Sequence, residues 1–186
     1  GTTSLNGLTT GSYNIALGYG AGDGITTNNN VVAIGYRAGR KSGAESVWVG
    51  TNAGGETTGT ISTSGSVGIG YDALVNATSY GNAAVGSNAG KYITAGQNNT
   101  FIGRDAGASG YNMTTGTNNT VIGYGSDGSG ATVSNEFTLG NSSIATLRCQ
   151  VQTISALSDR RDKTDIEELP LGIDFINTLK PVKFTW

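Results

Sequence analysis

The side chains that usually carry chemistry are sparse in this chain. It has no histidine and one cysteine, Cys149, so zinc catalysis and imidazole acid–base work lack their usual residues. A lone cysteine also excludes an intrachain disulfide framework and a multi-cysteine metal site, and Cys149 is expected as a small buried side chain, with an interchain bond as the alternative. Carboxylates could cut a saccharide if paired on one face, but the seven acids of residues 1–157 are scattered. The Asp/Gly-rich piece 126–130 lacks the repeated acids of a calcium-binding β-roll, so neither metal nor cofactor is expected. The tyrosines Tyr19, Tyr36, Tyr71 and Tyr124 each follow a recurring glycine. Packing is expected of them, with sugar stacking as the alternative. The threonines lie mostly in irregular stretches, which argues against an ice-binding array.

Elements that could position such residues must come from an unusual composition. Of 186 residues, 31 are glycine and only 13% are charged, with a formal net charge of −2. Disordered chains are normally charged and poor in β-branched residues, whereas Val, Ile and Thr recur here throughout, favouring a repetitive β structure. There is no basic excess to displace counterions from phosphates, so no nucleic acid is expected. No apolar run approaches the ~20 residues that cross a bilayer, so no membrane insertion is expected. No secretory signal opens the chain, and Gly1 reads as an internal starting point.

A short motif accounts for most of the sequence: a polar residue, then apolar–small–apolar–Gly, two variable residues, and usually Ala-Gly. Its anchor glycines are Gly18, Gly35, Gly50, Gly70, Gly86, Gly103, Gly123 and Gly140, spaced 17, 15, 20, 16, 17, 20 and 17 residues apart. Such a period predicts a solenoid whose coils stack. The residue before each glycine is a large aliphatic: Leu17, Ile34, Val49, Ile69, Val85, Ile102, Ile122 and Leu139. Two residues earlier stand Ile15, Val32, Val47, Val67, Ala83, Thr100, Thr120 and Phe137. Side chains two apart share a strand face, so these form two ladders, with the pre-glycine ladder expected as the repeat core. The intervening residues, from Ala16 to Thr138, vary in size, as expected of a face meeting solvent or another chain. The glycine would allow a corner at positive φ. Asn, Thr and Gly runs such as 114–119 supply the turns, with length differences taken up in surface loops; the recurring asparagines are expected in solvated turns, with a ligand-binding array as the alternative. Two aliphatics per coil bury too little to offset the ordering of some 17 residues, which predicts several chains sharing one core, as a homotrimer.

Near residue 158 the composition changes. Residues 1–157 hold 13 charged residues, and the last 29 hold the other 11; 30 of the 31 glycines precede the change, and Pro170 and Pro181 follow it. Leu169, Ile173, Ile176 and Leu179 have the spacing of a short amphipathic helix. Val182, Phe184 and Trp186 alternate like the start of a strand. This second domain reads as cut off.

The run Leu157-Ser158-Asp159-Arg160-Arg161-Asp162-Lys163-Thr164-Asp165-Ile166, followed by Leu-Gly-Ile-Asp-Phe-Ile-Asn-Thr-Leu-Lys-Pro-Val-Lys-Phe-Thr-Trp, resembles the opening of an endosialidase-type intramolecular chaperone domain. That family ends phage tail fibres and spikes, trimerises the chain and releases itself by self-cleavage. The preceding stretch 135–150 resembles the shaft end that leads into such a domain. The resemblance implies Ser158 as nucleophile and Lys163 as its base, with a scissile bond adjoining Ser158, Ser158–Asp159 favoured over Leu157–Ser158. A hydroxyl needs such a base, and burial can hold a lysine neutral for the task. Without the resemblance, Ser158 would read as a turn or capping residue and Lys163 as a surface charge. Separately, the Val-Ala-Ile-Gly repeats are similar to the β-roll heads of trimeric bacterial adhesins.

The sequence therefore predicts an all-β, trimeric β-roll or β-helix shaft of ~17-residue repeats followed by the start of a small α+β chaperone domain. The expected divisions are a repeat shaft at 1–134, a connector at 135–157 and a truncated, self-cleaving chaperone at 158–186. The expected function is structural, as part of a viral (phage) tail fibre in the virion, used in host attachment. A host surface glycan or protein receptor is the expected partner beyond the homotrimer. No turnover enzyme is expected, only single-event autoproteolysis in a full-length parent. The alternative is a bacterial cell-surface adhesin head, against which the chaperone-like end weighs.

Overall fold

The computed structural model describes residues 2–55 and 63–150. By contacts the chain divides into two units, residues 1–145 and 146–186. The first unit is a parallel β-solenoid. Its strands are β1 (Ile15–Leu17), β2 (Val32–Ile34), β3 (Val47–Val49), β4 (Val67–Ile69), β5 (Ala83–Val85), β6 (Thr100–Ile102), β7 (Thr120–Ile122) and β8 (Phe137–Leu139). They form one sheet in chain order. Every pairing is parallel and matches equivalent motif positions, as in Val32↔Val47 and Ile34↔Val49. Among the described residues there is no helix. The helix and strand expected over 169–186 lie outside the described residues.

Each strand ends at its anchor glycine because only glycine fits there. Seven of the eight, Gly18 to Gly123, have φ between 125° and 136°, where an L side chain is strained. At Gly18, Gly35, Gly50, Gly86 and Gly103 an added Cβ would also lie 2.5 Å from the next anchor glycine's carbonyl oxygen. The chain then turns through a second left-handed residue, such as Asn52, Asp72, Asn88 or Asp105. The next alanine, as in Ala21, Ala38, Ala53, Ala73, Ala89 and Ala106, is fully buried inside the coil.

The core within one chain reverses the expected faces. Ala33, Trp48, Ala84, Phe101 and Val121, at the middle of their strands, are fully buried. The pre-glycine ladder points outward instead: Leu17 is 62% exposed, and Ile69, Val85 and Ile102 are 39–43% exposed. Ile34, Val49 and Ile122 are half-buried, and Leu139 is exposed. The physical reason is that a narrow coil has room for one side chain per strand. It takes the middle one, while its two neighbours share the opposite face of the pleat. The middle position varies because its neighbours compensate. Trp48 lies over Gly68, where an added Cβ would meet its ring at 2.7 Å, and Phe101 has Gly90 against it at 2.8 Å on the same measure. Ile25, Leu74, Ile93 and Met113 complete the interior from the rest of the coils.

Candidate assembly face and its supports

The outer face of the sheet comprises the two residues flanking each strand centre. Over eight strands it carries no charged residue; fourteen of its sixteen positions are apolar and the other two are Thr100 and Thr120. At a strand spacing of about 4.8 Å, the stripe runs roughly 34 Å. Seven of the sixteen are exposed and the other nine half-buried, and a partly exposed apolar stripe of this length is a candidate interaction surface.

Buried asparagines tie successive coils together behind this face. Asn82, Asn99 and Asn119 stand four residues before their glycines and are essentially inaccessible to solvent. Each reaches into the following coil. Asn82 Oδ1 accepts from Asn99 N–H at 3.1 Å, Asn99 Oδ1 from Asn119 N–H at 3.0 Å, and Asn119 Oδ1 from Glu136 N–H at 2.9 Å. Their Nδ2 groups donate to Gly96, Gly116 and Val133 carbonyls, each at 2.8 Å. Asn14 repeats the arrangement on Val31 and Asn28. One carboxamide thus satisfies a donor and an acceptor that the tight coil would leave orphaned. These are internal staples, which corrects the expectation of solvated turns.

Charged groups also serve the coils. Asp72 is buried, accepting from Lys91 Nζ at 2.9 Å and Asn52 Nδ2 at 3.1 Å. The hydrogen bond to Asp72 holds the Lys91 ammonium above the usual lysine range against its own desolvation. Glu136 accepts from the Ser129 hydroxyl at 2.7 Å and its N–H at 2.9 Å, and from Thr138 Oγ1 at 3.0 Å. The Ser129 hydroxyl, chiefly, keeps its carboxyl below the usual range. Asp127 Oδ2 gathers the N–H groups of Gly110, Tyr111 and Asn112 at 2.7, 2.8 and 3.3 Å, fixing the loop of a 20-residue coil. Among the described residues no cluster of three His, Cys, Asp or Glu could hold a metal ion.

The structure places the expected site residues unevenly. The anchor glycines line one corner, and the pre-glycine ladder lies beside them on the outer face. Ser158 and Lys163 lie outside the described residues. Cys149 is exposed rather than buried, because it lies past the last coil. Tyr19, Tyr36, Tyr71 and Tyr124 are all exposed. Among the described residues no helix is long and apolar enough to cross a membrane.

Residues 158–186 match the family described as the chaperone of endosialidase. The match begins where the composition changes. No curated protein and no solved structure matches the chain.

Proposed function

We propose that this chain is the shaft of a viral tail fibre used in host attachment, three copies joined along their outer sheet faces and assembled by the chaperone that begins at residue 158. The carrying observation is the uncharged, mainly apolar stripe on eight in-register strands, in the same chain as a segment matching a chaperone family. An identical copy suits this stripe. Coils of one strand spacing each place every rung beside its equal when copies are related by an axis along the stack. The stripe offers no charge pattern with which to select a different partner. Three copies rather than two follows from the resemblance of the C-terminal segment. Ser158 and Lys163 serve there as nucleophile and base for one cleavage at Ser158–Asp159, releasing the chaperone after assembly.

Light scattering of the purified chain tests the assembly, with three times the 18.9 kDa chain mass expected. A folded species of single-chain mass would remove the shared-core shaft. Denaturing mass spectrometry reads the cleavage: loss of the segment after Ser158, abolished by Ser158→Ala, is the expected result.

A further inference from the structure

The coil from Gly103 to Gly123 spends its 20 residues on a loop that the 17-residue coils lack. The following coil holds that loop through one side chain. Asp127 Oδ2 takes the N–H groups of Gly110, Tyr111 and Asn112, and its Oδ1 accepts from Gly128 N–H at 3.0 Å. An open cavity of about 430 Å³ lies beside the clamp. Three successive coils line it: Ser109, Gly110 and Tyr111 come from the first, Asp127 from the second, and Thr138 and Ser142 from the last. Gly110 has no backbone reason to be glycine. Its φ lies outside the left-handed region, and an added Cβ would meet only Asp127 Oδ2, at 3.6 Å, an ordinary contact. A longer side chain there would take up cavity space.

We infer that this cavity binds a neutral saccharide, as the end of a glycan chain. Its volume falls within the range of about 300–1,000 Å³ typical of small-molecule sites, and its lining decides the class. Asp127 is the one charged residue among those lining it. That carboxylate is already met by four N–H donors, which suits it poorly to a cation, and the same four donors are no longer free to hold an anion. What remains are the hydroxyls of Ser109, Tyr111, Thr138 and Ser142. Hydroxyls both give and accept hydrogen bonds, the exchange that the rim of a sugar needs. An apolar ligand would strand them without partners. Tyr111, 61% exposed, adds an aromatic body with a polar tip. For its biological setting the inference rests on the attachment reading; the cavity itself rests on the loop and its clamp.

An array of neutral and acidic glycans probed with the assembled chain tests the inference, followed by calorimetry of the best-bound glycan on two variants. Gly110→Val fills the cavity while keeping the N–H to Asp127, and Ser142→Trp fills it from an exposed position. At least one neutral glycan should bind, both variants should weaken it at least tenfold, and both should keep the parental mass by light scattering. Binding to no neutral glycan, binding to acidic glycans alone, or a loss of less than tenfold in Ser142→Trp overturns the saccharide site. A reduced mass for Ser142→Trp also overturns it, making the cavity part of the chain–chain contact. If Gly110→Val fails to fold, Ser142→Trp decides alone. Single-chain mass of the parent with binding that Ser142→Trp removes would sink the shaft assembly and leave the cavity standing.

Discussion

The inner and outer sides of the same strands differ in what varies along them. Inside, the series Ala33, Trp48, Gly68, Ala84, Phe101, Val121 swings between extremes of volume, and each coil's neighbours adjust to it. Outside, every pre-glycine residue is Leu, Ile or Val. A chain's own interior can trade a tryptophan on one rung for glycines around it, since both sides of the contact lie in the same sequence. A face that meets a copy of itself has no such freedom, because any change appears in every copy at once. Size variation marks the private core, while on the face proposed as shared the pre-glycine ladder is constant and the ladder beside it varies from Ala83 to Phe137.

Charge on the shared side gives the sharpest test of this contrast. The double variant Val85→Asp, Ile102→Asp should abolish the assembly, reducing the mass in light scattering to that of one chain, because two unpaired carboxylates per copy would be buried at the contact. Retention of the parental mass would break the comparison. On the private side, Trp48→Ala should cost about 3–5 kcal/mol in denaturant unfolding, since Gly39, Gly54 and Gly68 cannot refill the space. Its assembled mass should stay unchanged at low denaturant.

The staples that keep the two faces apart come next. Asn99→Ala strands the Asn119 N–H and the Gly116 carbonyl and should cost about 1–3 kcal/mol by the same unfolding measurement. Asn98→Ala on the exposed neighbour should cost less.

Smallest should be the pH response. Lys91 is held above its unfolded value, so its contribution is full below about pH 10.4 and is lost as pH rises through the folded value. Glu136 is held below its unfolded value, so its contribution is present above about pH 4.3 and lost as pH falls. Each should be under about 1 kcal/mol because both sites are partly solvated, read as the pH dependence of the unfolding midpoint. Lys91→Met should flatten the alkaline limb.

The motif made the coils legible. Every strand sits on the three residues before an anchor glycine, since the glycine's positive φ and close approach are demands of backbone geometry that leave a direct mark on sequence. Which face pointed inward was not legible. Two aliphatics flanking one variable residue look like a core flanking a surface, and only the narrowness of the coil reverses that. The asparagine staples were missed for a related reason: each bridges residues 14–20 apart in sequence. Their signal was nonetheless present, as asparagine recurs four before the glycine at Asn14, Asn82, Asn99 and Asn119. The resemblance carried by Ser158 to Trp186 was legible from its residue run, where periodicity alone offered only a short helix and a strand.

The parallel register has a mechanical consequence. The sheet's hydrogen bonds run from coil to coil, in the direction in which the coils stack, so a pull between the first and last coils loads the rungs one after another. Tension is carried in series, and the force at which a single chain yields is that of its weakest rung rather than the sum over all of them. Such a chain would peel from its ends, one coil at a time, with each detached coil paying out 15–20 residues of slack. Copies bound side by side along the stripe would share that load, turning a zipper into a cable.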